Sequence, residues 1–301
     1  MHNLKNNLKT AFLMGLMMGL VLLVGSFWGR TGLVFAFGFG VIMNFGAWFF
    51  SDKLAIAAMQ GREVDEHSAP QLYAMVDRLR QRAGLPMPRV FVCPHDAPNA
   101  FATGRNPSHA AVAVTRGILD LLDERELEGV ISHELAHVKN RDTLTSCVAA
   151  TIAGVLAMIA HSFMWFGGGL GGSNREGSNP LLAILSVIIA AVGAALIQSM
   201  ISRSREFAAD ADGAMIAGTP VGLASALTKL EMYSKRIPLN QPNPAQNNLF
   251  IVEPFSGGRG TTLVNMFASH PPVEARIAAL HDMWEKYGGT GNTPWAAAAR
   301  A

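Results

Sequence analysis

The sequence predicts a mainly α-helical membrane protein, in which transmembrane helices carry a cytoplasmic α+β domain with a small sheet. Hydrophobic residues make up 50% of the 301 residues and charged residues only 15%, a balance shifted toward membrane proteins. Four uncharged apolar runs are each long enough to cross a bilayer of about 30 Å as a helix. The segments between them show helical periodicity and short strand-like runs.

The overall charge and the cysteine content exclude several classes of protein. The formal net charge of +2 is too small and too scattered to indicate binding of nucleic acid, so no nucleic-acid partner is expected. Cys93 and Cys147 are the two cysteines of the sequence. They provide neither a disulfide framework nor a zinc site with four thiolates.

The first two apolar runs, residues 10–28 and 33–50, predict an N-terminal transmembrane hairpin within residues 1–53. A secretory signal peptide is the alternative, since Lys5 and Lys9 precede the first run. We reject it because the second run follows after only a short connection, and no small-residue cleavage site lies between the two runs.

Two further apolar runs, residues 144–166 and 181–201, predict a second hydrophobic hairpin over residues 144–201. The connecting segment 167–180 is rich in Gly, Ser and Asn, as expected of an exposed loop. Because apolar runs of this length also occur as core helices, a buried hairpin of the soluble fold remains the alternative.

The positively charged residues predict the orientation of the spans. One side of the four spans is flanked by Lys5, Lys9, Lys53, Arg62, Lys139, Arg141, Arg203 and Arg205, and the other by Arg30 and Arg175. The side with more Lys and Arg faces the cytoplasm under the positive-inside rule. We therefore expect a multi-pass protein whose termini and soluble segments lie in the cytoplasm.

Residues 54–143 are expected to form the first part of the α+β domain. A capping box of Ser68 and Gln71 predicts the start of a helix that ends at Gly84. Strands are then predicted at residues 89–93, 100–103 and 109–115. A small sheet therefore precedes the next helix.

That next helix carries His133-Glu134-x-x-His137, after a capping box of Asp123 and Glu126. Residues four apart share a helix face, so both histidines can direct a ring nitrogen at one metal ion, with Glu134 as the neighbouring base. The motif also occurs by chance in unrelated helices. A catalytic zinc ion needs three protein ligands and an open position for water, so a third ligand is required.

The third ligand must lie farther along the chain, because the short metzincin arrangement needs Gly and His where this sequence has Asn140 and Thr143. Glu206 and Asp210 lie four residues apart on a predicted helix. One carboxylate can bind the metal while the other accepts a hydrogen bond from a ligand histidine. A solvated acidic face paired with nearby arginines such as Arg205 is the alternative.

The candidate substrate-binding edge of the sheet is Asn99-Ala100-Phe101. An extended peptide can add to an exposed strand through main-chain hydrogen bonds, whatever its sequence. An ordinary edge strand beside a turn explains the same residues equally well. Residues 202–288 are expected to form the second part of the domain, and residues 289–301 a disordered tail.

Taken together, these motifs resemble the HtpX heat-shock membrane metalloproteases, which are relatives of the CAAX prenyl endopeptidases within the gluzincin zinc peptidases. The resemblance covers nearly the whole chain. The motifs that carry it are Asn99-Ala100-Phe101-Ala102-Thr103-Gly104, the helix with His133 and His137, Glu206 with Asp210, and Ser269-His270-Pro271-Pro272 with Arg276, placed around two membrane hairpins.

The resemblance implies a gluzincin-type metalloprotease domain with one Zn²⁺ per chain. It makes Glu206 the third ligand beside His133 and His137, and Asp210 the hydrogen-bond partner of a ligand. It also places His270 and Arg276 near the site, where they would help to stabilise transition-state charge. His270 is thereby a candidate catalytic residue beside the base Glu134, with a structural role at the start of the last helix as the alternative.

The same resemblance implies a bacterial inner-membrane endopeptidase that degrades damaged or misfolded membrane proteins in quality control and the stress response. Its expected partners are membrane-protein and unfolded polypeptide substrates, the lipid bilayer and other membrane quality-control proteins. A membrane chaperone with a structural zinc ion is a rival, but a structural site would not need Glu134. A transporter is a second rival, but it would need paired charges within the spans.

Overall fold

A computed structural model describes residues 2–26, 29–144, 203–236 and 271–286 of the chain. The described helices are α1 (His2–Ser26), α2 (Gly29–Ala58), α3 (Pro70–Ala83), α4 (Arg116–Leu121), α5 (Glu124–Asn140), α6 (Arg203–Ala217), α7 (Val221–Arg236) and α8 (Val273–Lys286). The described strands are β1 (Arg62–Val64), β2 (Arg89–Cys93), β3 (Ala100–Thr103) and β4 (Ala111–Thr115). The described part is therefore mainly helical with a small sheet, as predicted.

The two N-terminal helices pack against each other as an antiparallel pair, with Met18 of α1 against Gly40 of α2. Residues Gly29–Phe50 of α2 are long and apolar enough to cross a membrane, and Met14–Leu23 of α1 form a shorter apolar stretch. Large apolar side chains of α2, such as Phe35, lie exposed on the protein surface. This surface suits contact with lipid better than contact with water.

The predicted spans are therefore only partly described by the structure. The span predicted at residues 33–50 lies on α2, and the span predicted at 10–28 lies on α1 up to Ser26. The spans predicted at 144–166 and 181–201 lie outside the described residues apart from Leu144. The predicted tail at 289–301 also lies outside them.

The four described strands form one sheet in the order β1-β2-β4-β3. β2 and β4 run parallel, while β1 pairs antiparallel with β2 and β3 pairs antiparallel with β4. Within the described residues β3 is therefore an edge strand. Among the described strands none pairs with its outer side, and α5, the helix that carries the two histidines, lies beside it.

Two of the three predicted strands are confirmed at their predicted bounds, as β2 and β3. The third begins at Ala111 rather than residue 109, because the Asn106 side chain accepts the backbone N–H of His109 and caps a 3-10 turn over Pro107–His109. The turn after β3 requires Gly104, whose φ is +134° and whose missing side chain leaves room for the carbonyl of His109. β1 was not predicted, since three residues are too few for a clear alternation.

The sheet is covered on both faces, since side chains alternate between them. Val112 of β4 lies in the main core with α3 and α5, whereas Ala113 faces the C-terminal end of α2. There, Ile56 and Met59 pack against Phe101 of β3. The helix that supplies the apolar span thus continues onto the back of the sheet.

Polar contacts fix the same end of α2 to the sheet. The buried carboxylate of Asp52 accepts a hydrogen bond from the Arg89 guanidinium of β2 at 3.0 Å. A ring nitrogen of His95 lies 3.0 Å from the carbonyl oxygen of Met59. The end of α2 and the sheet therefore form one packed unit.

The predicted start of α5 is confirmed and that of α3 is wrong. The Asp123 carboxylate accepts the N–H of Glu126, and the Glu126 side chain accepts the N–H of Asp123 at 2.8 Å, which is the predicted capping box. The Ser68 hydroxyl instead contacts the Asp65 carboxylate at 2.7 Å, and α3 begins at Pro70 without a side-chain cap. Asp65 competes for Ser68 because it closes a local turn with the same hydroxyl.

α6 crosses α5 at very short range where Gly213 meets the backbone of His133. A Cβ atom at Gly213 would lie 2.9 Å from the His133 Cα and N atoms. The absence of a side chain therefore permits the approach of the two helices that brings the carboxylates of α6 to the histidines of α5. Helices α7 and α8 pack around this pair.

Candidate metal centre

The two histidines of α5 converge as the helical spacing predicts. The Nε2 atoms of His133 and His137 lie 3.2 Å apart, and the rings are nearly perpendicular at 87°. His133 is buried, and His137 retains partial exposure. Both rings thus present one nitrogen to the same point beside the helix.

α6 supplies a carboxylate at that point. The Glu206 oxygens lie 3.7 Å from Nε2 of His133 and 3.5 Å from Nε2 of His137. Ligand atoms about 2.0–2.2 Å from a tetrahedral zinc ion lie roughly 3.3 Å from one another. The three separations therefore match the edges of such a coordination sphere, and the three side chains form a group that could hold a metal ion.

The second carboxylate of α6 lies behind the first histidine. Oδ1 of Asp210 lies 2.9 Å from Nδ1 of His133, at an angle that departs from a straight hydrogen bond. Arg276 of α8 donates to both Asp210 oxygens, at 2.8 and 2.6 Å, and is fully buried. Burial acts to raise the pKa of Asp210, but the Arg276 guanidinium outweighs it and lowers that pKa to about 2. Asp210 therefore remains ionised behind the ring.

Asp142 has the corresponding place behind the second histidine, a role that was not predicted from the sequence. Its Oδ2 lies 3.2 Å from Nδ1 of His137. Arg141 ends α5 in the left-handed conformation, with φ of 57°, and this turns the chain so that Asp142 points back at the helix. Arg205 lies 3.9 Å from the other Asp142 oxygen. An acidic residue directly after the helix end was the available signal in the sequence.

The electrostatic environment of the second histidine favours a cation. Burial acts to lower the pKa of His137, but the hydrogen bond with Asp142 and the charges of Glu206 and Glu134 outweigh it and raise that pKa to about 9. The free side chain thus attracts a proton strongly. A metal ion at Nε2 would meet the same negative surroundings.

The buried charges around the histidines fit a divalent cation. With neutral imidazoles, the carboxylates of this cluster exceed its guanidinium groups by two charges. The described members are Glu134, Asp142, Glu206 and Asp210 on one side, and Arg205 and Arg276 on the other. An unbalanced buried charge of this size is costly unless a cation compensates it. The cluster therefore has both the geometry and the charge for a metal ion.

The predicted base Glu134 lies beside the edge strand. Its side chain is buried, and Oε2 accepts a hydrogen bond from the backbone N–H of Ala102 in β3 at 2.8 Å. The arrangement places a carboxylate between the metal-binding group and the edge strand β3.

The three predicted substrate-binding residues occupy different positions. Ala100 lies on β3, and Phe101 packs its ring under the end of α2. Asn99 directly precedes the strand, and its buried side-chain amide has no hydrogen-bond partner within the described residues. His270 lies outside the described residues, although Arg276 is brought to the site as described above.

Comparison with known proteins places these features in a family context. The family model described as Peptidase family M48 matches residues 66–284. A protein named Protease HtpX homolog from Desulforapulum autotrophicum is 50% identical over 291 residues, which cover 95% of this chain and 92% of that protein. A protein of the same name from Nostoc punctiforme is 50% identical over 281 residues, covering 91% of this chain and 95% of that protein.

Among solved structures, the crystal structure of S. mikatae Ste24p aligns with a TM-score of 0.49 and 18% sequence identity. The alignment covers 92% of this chain and 65% of that chain.

Proposed function

The chain belongs to peptidase family M48 and is a membrane metalloprotease, and we propose that its metal is zinc and that it cleaves membrane-protein and unfolded polypeptide substrates at the cytoplasmic surface of the membrane. The observation that carries the proposal is the convergence of His133, His137 and Glu206 at mutual distances of 3.2–3.7 Å. A buried carboxylate and the edge strand β3 lie directly beside this group.

Two imidazole nitrogens and one carboxylate oxygen are the ligand set of many catalytic zinc sites. In this chain they would be His133, His137 and Glu206, which leaves one position for water or substrate. When bound, a zinc ion supplies an acidic water molecule and polarises the scissile carbonyl. One ion per chain suits the single cluster found among the described residues.

Glu134 is the proposed general base. A group in this role must reach the attacking water and then the leaving amine, which requires it to lie next to the ligands without being one itself. Glu134 follows the first ligand on the same helix and is held at the edge strand by Ala102. It accepts the proton of the attacking water and donates it to the leaving nitrogen, with no covalent intermediate.

Asp210 and Arg276 act behind the ligands. Asp210 faces the rear nitrogen of His133, and Arg276 fixes Asp210 through two hydrogen bonds. Arg276 also lies 3.8 Å from Glu206, so its charge reaches the ligand carboxylate. His270 precedes α8, the helix that carries Arg276, and we propose that it stabilises the charge that develops on the scissile carbonyl.

The edge strand is the proposed substrate-binding element, with Asn99, Ala100 and Phe101 as its contributing segment. Main-chain pairing with an edge strand requires an extended substrate but no particular sequence. Damaged or misfolded membrane proteins expose such extended segments. This supports a role in membrane protein quality control and the stress response, together with other quality-control proteins.

The described charges support a cytoplasmic active site. α2 begins near Arg30, crosses its apolar section, and continues through Lys53 into the sheet of the catalytic domain. Lys5 and Lys9 lie at the same end of the α1–α2 pair as Lys53. Under the positive-inside rule this end faces the cytoplasm of a bacterial inner membrane. The second hairpin at 144–201 would add two further spans to this pair.

The proposal is tested on the full-length protein in detergent. Glu134→Gln should retain bound zinc and lose cleavage of unfolded casein by at least about 100-fold, since it removes the base. Glu206→Gln should lose bound zinc. Glu128→Gln, on the outer side of α5 facing Arg78, is the matched control and should retain both. Equal cleavage by wild type and Glu134→Gln, or zinc retained by Glu206→Gln, would contradict the proposal.

A further inference from the structure

Two helices that lead to apolar runs, α2 and α5, meet at one end of the sheet. The apolar stretch Gly29–Phe50 of α2 reaches this end, where the next turn of the helix places Asp52 at 3.0 Å from Arg89, the first residue of β2. At the end of α5, the hydroxyl of Thr143 donates to the carbonyl of Gly104 at 2.9 Å. Thr143 directly precedes the second predicted hairpin. The turn after β3 therefore lies on the side of the domain that faces the membrane.

This turn carries an arginine whose side chain lies against the apolar stretch of α2. The guanidinium carbon of Arg105 lies 4.7 Å from the ring centroid of Phe49, and Arg105 is half-buried. Phe49 belongs to the last turn of that stretch. A guanidinium over an aromatic face is held electrostatically by the ring. The Arg105 charge is thus fixed at the boundary between the apolar stretch and the catalytic domain.

A second cation lies on the neighbouring ring. The Nζ atom of Lys53 lies 5.6 Å from the ring centroid of Phe50, and Lys53 is exposed. The rings of Phe49 and Phe50 contact each other edge to face, with their centroids 5.0 Å apart. One aromatic pair therefore carries both Lys53 and Arg105.

The charges of the two cations are not neutralised by a carboxylate in the part of the chain that the structure describes. Asp52, the neighbour of Lys53, is buried and paired with Arg89 instead. Neither Lys53 nor Arg105 forms an ion pair with any other described residue. Two positive charges fixed at a membrane boundary attract an anion at the depth of the lipid headgroups.

The surface next to the cations indicates what kind of molecule carries this anion. Along α2, on the apolar side of the two cations, the side chains of Phe45 and Trp48 are 57% and 37% exposed. A free phosphate ion would match the charges of Lys53 and Arg105 but would leave these side chains uncovered. A phospholipid supplies a phosphate for the cations and acyl chains for the aromatic side chains.

We propose that Arg105 and Lys53 bind the phosphate of an anionic phospholipid, whose acyl chains cover the exposed side chains of α2. The planar guanidinium of Arg105 donates two N–H groups to the phosphate, and Lys53 acts as a point charge beside it. The inference goes beyond the proposed function. It takes from that function only the cytoplasmic position of this end of α2, because anionic lipids give the cytoplasmic leaflet its negative surface potential.

The consequence is that one lipid fixes the depth of the metal-binding group. The bound headgroup holds Arg105, and the adjacent Gly104 is tied to Thr143 just beyond α5. His137 lies one helical turn before the end of α5, which corresponds to roughly 6 Å along the helix. The metal-binding group is therefore held close to the membrane surface, where the segments of a membrane substrate leave the bilayer.

The test measures lipid preference on the full-length protein in mixed micelles of detergent with equal amounts of phosphatidylglycerol and phosphatidylcholine. Native mass spectrometry gives the ratio of the two lipids that each variant retains. The test variant is Arg105→Gln with Lys53→Gln. The matched control is Arg116→Gln with Arg125→Gln, which removes the same charge from exposed positions at the opposite ends of β4 and α5. Bound zinc and casein cleavage in detergent show that the catalytic domain is folded.

The test variant should lose its preference for phosphatidylglycerol by about 10- to 30-fold, since one basic residue near an anionic surface contributes a factor of roughly five. The control should stay within about twofold of wild type. Arg105→Gln alone should lose about fivefold. Arg105→Lys should lose less than about twofold, because it keeps the charge that attracts the phosphate.

An unchanged preference in the test variant, or an equal loss in the control, would overturn the inference. A loss in Arg105→Lys as large as in Arg105→Gln would also overturn it, because the effect would then follow from packing and not from charge. Lipid retention is measured without substrate, so the two proposals fail separately. Zinc-loaded wild type that retains phosphatidylglycerol but does not cleave casein contradicts the proposed function. Wild type that cleaves casein without a lipid preference contradicts the lipid site.

Discussion

Removal of the Asp142 carboxylate should weaken metal binding without unfolding the catalytic domain. Asp142 holds the rear nitrogen of His137 at 3.2 Å, and His137 is partly exposed. A hydrogen bond to a charged group contributes about 1.5–3 kcal/mol, and the length and partial exposure of this one favour the lower part of that range. Asp142→Ala should therefore raise the Kd for zinc by roughly 10- to 30-fold, within the range known for residues that orient metal ligands.

The assay is competition for zinc against a chelating dye, performed on the detergent-purified full-length protein at pH 7.5. Asp142→Asn should fall between wild type and Asp142→Ala, because its amide oxygen can still accept from Nδ1 of His137 but carries no charge. Asp120→Ala, at an exposed site on α4, is the control and should bind zinc as wild type does. Thermal melts of the metal-free proteins show whether folding is preserved.

A Kd for Asp142→Ala within twofold of the control would refute the reasoning, since the ring of His137 would then be oriented without this carboxylate. A large loss in Asp120→Ala as well would show that the effect is a general change in charge. The expected order of affinity is wild type, Asp142→Asn, then Asp142→Ala.

Three further outcomes are expected. Arg276→Gln should lower the free energy of unfolding by about 3–5 kcal/mol, because it leaves the Asp210 carboxylate buried without its cation. A loss of less than about 1 kcal/mol, measured by denaturant unfolding, would contradict this. Gly213→Ala should lower the free energy of unfolding by about 1–3 kcal/mol and weaken zinc binding, because its Cβ atom would clash with the α5 backbone. Gly46→Ala is the control and should do neither, because a Cβ atom there meets open space. The pKa of His137 in the folded, metal-free protein is raised to about 9 from an ordinary 6.5. Protonation of His137 should therefore stabilise the fold fully below pH 6.5, and this stabilisation should be lost as the pH rises through 9. Thermal melts of the metal-free protein across that pH window check the sign.

Some parts of the fold could be predicted because they depend on neighbours in the sequence. The Asp123–Glu126 capping box and strands β2 and β3 are local patterns, and the structure confirms them. The capping box predicted at Ser68 is wrong, because Asp65 competes for the same hydroxyl. The choice between two turns is decided by small energy differences that composition does not reveal.

Only part of the candidate site could be predicted from local sequence patterns. The spacing of Glu206 and Asp210 indicated a pair of carboxylates, but not which one would face the metal-binding nitrogens. The structure places Glu206 opposite the Nε2 atoms and Asp210 behind His133. The role of Asp142 was missed because it depends on a left-handed residue at the helix end, which arginine seldom occupies.

The sequence by itself determined the convergence of His133 and His137, because a helix places residues four apart on one face regardless of the surrounding fold. It also determined the apolar helix α2, whose composition alone suits a membrane. Only the tertiary structure decided that Ala102 holds Glu134 and that Arg276 holds Asp210. These contacts join residues far apart in the chain, and their geometry follows from how α5, α6, α8 and the sheet pack together.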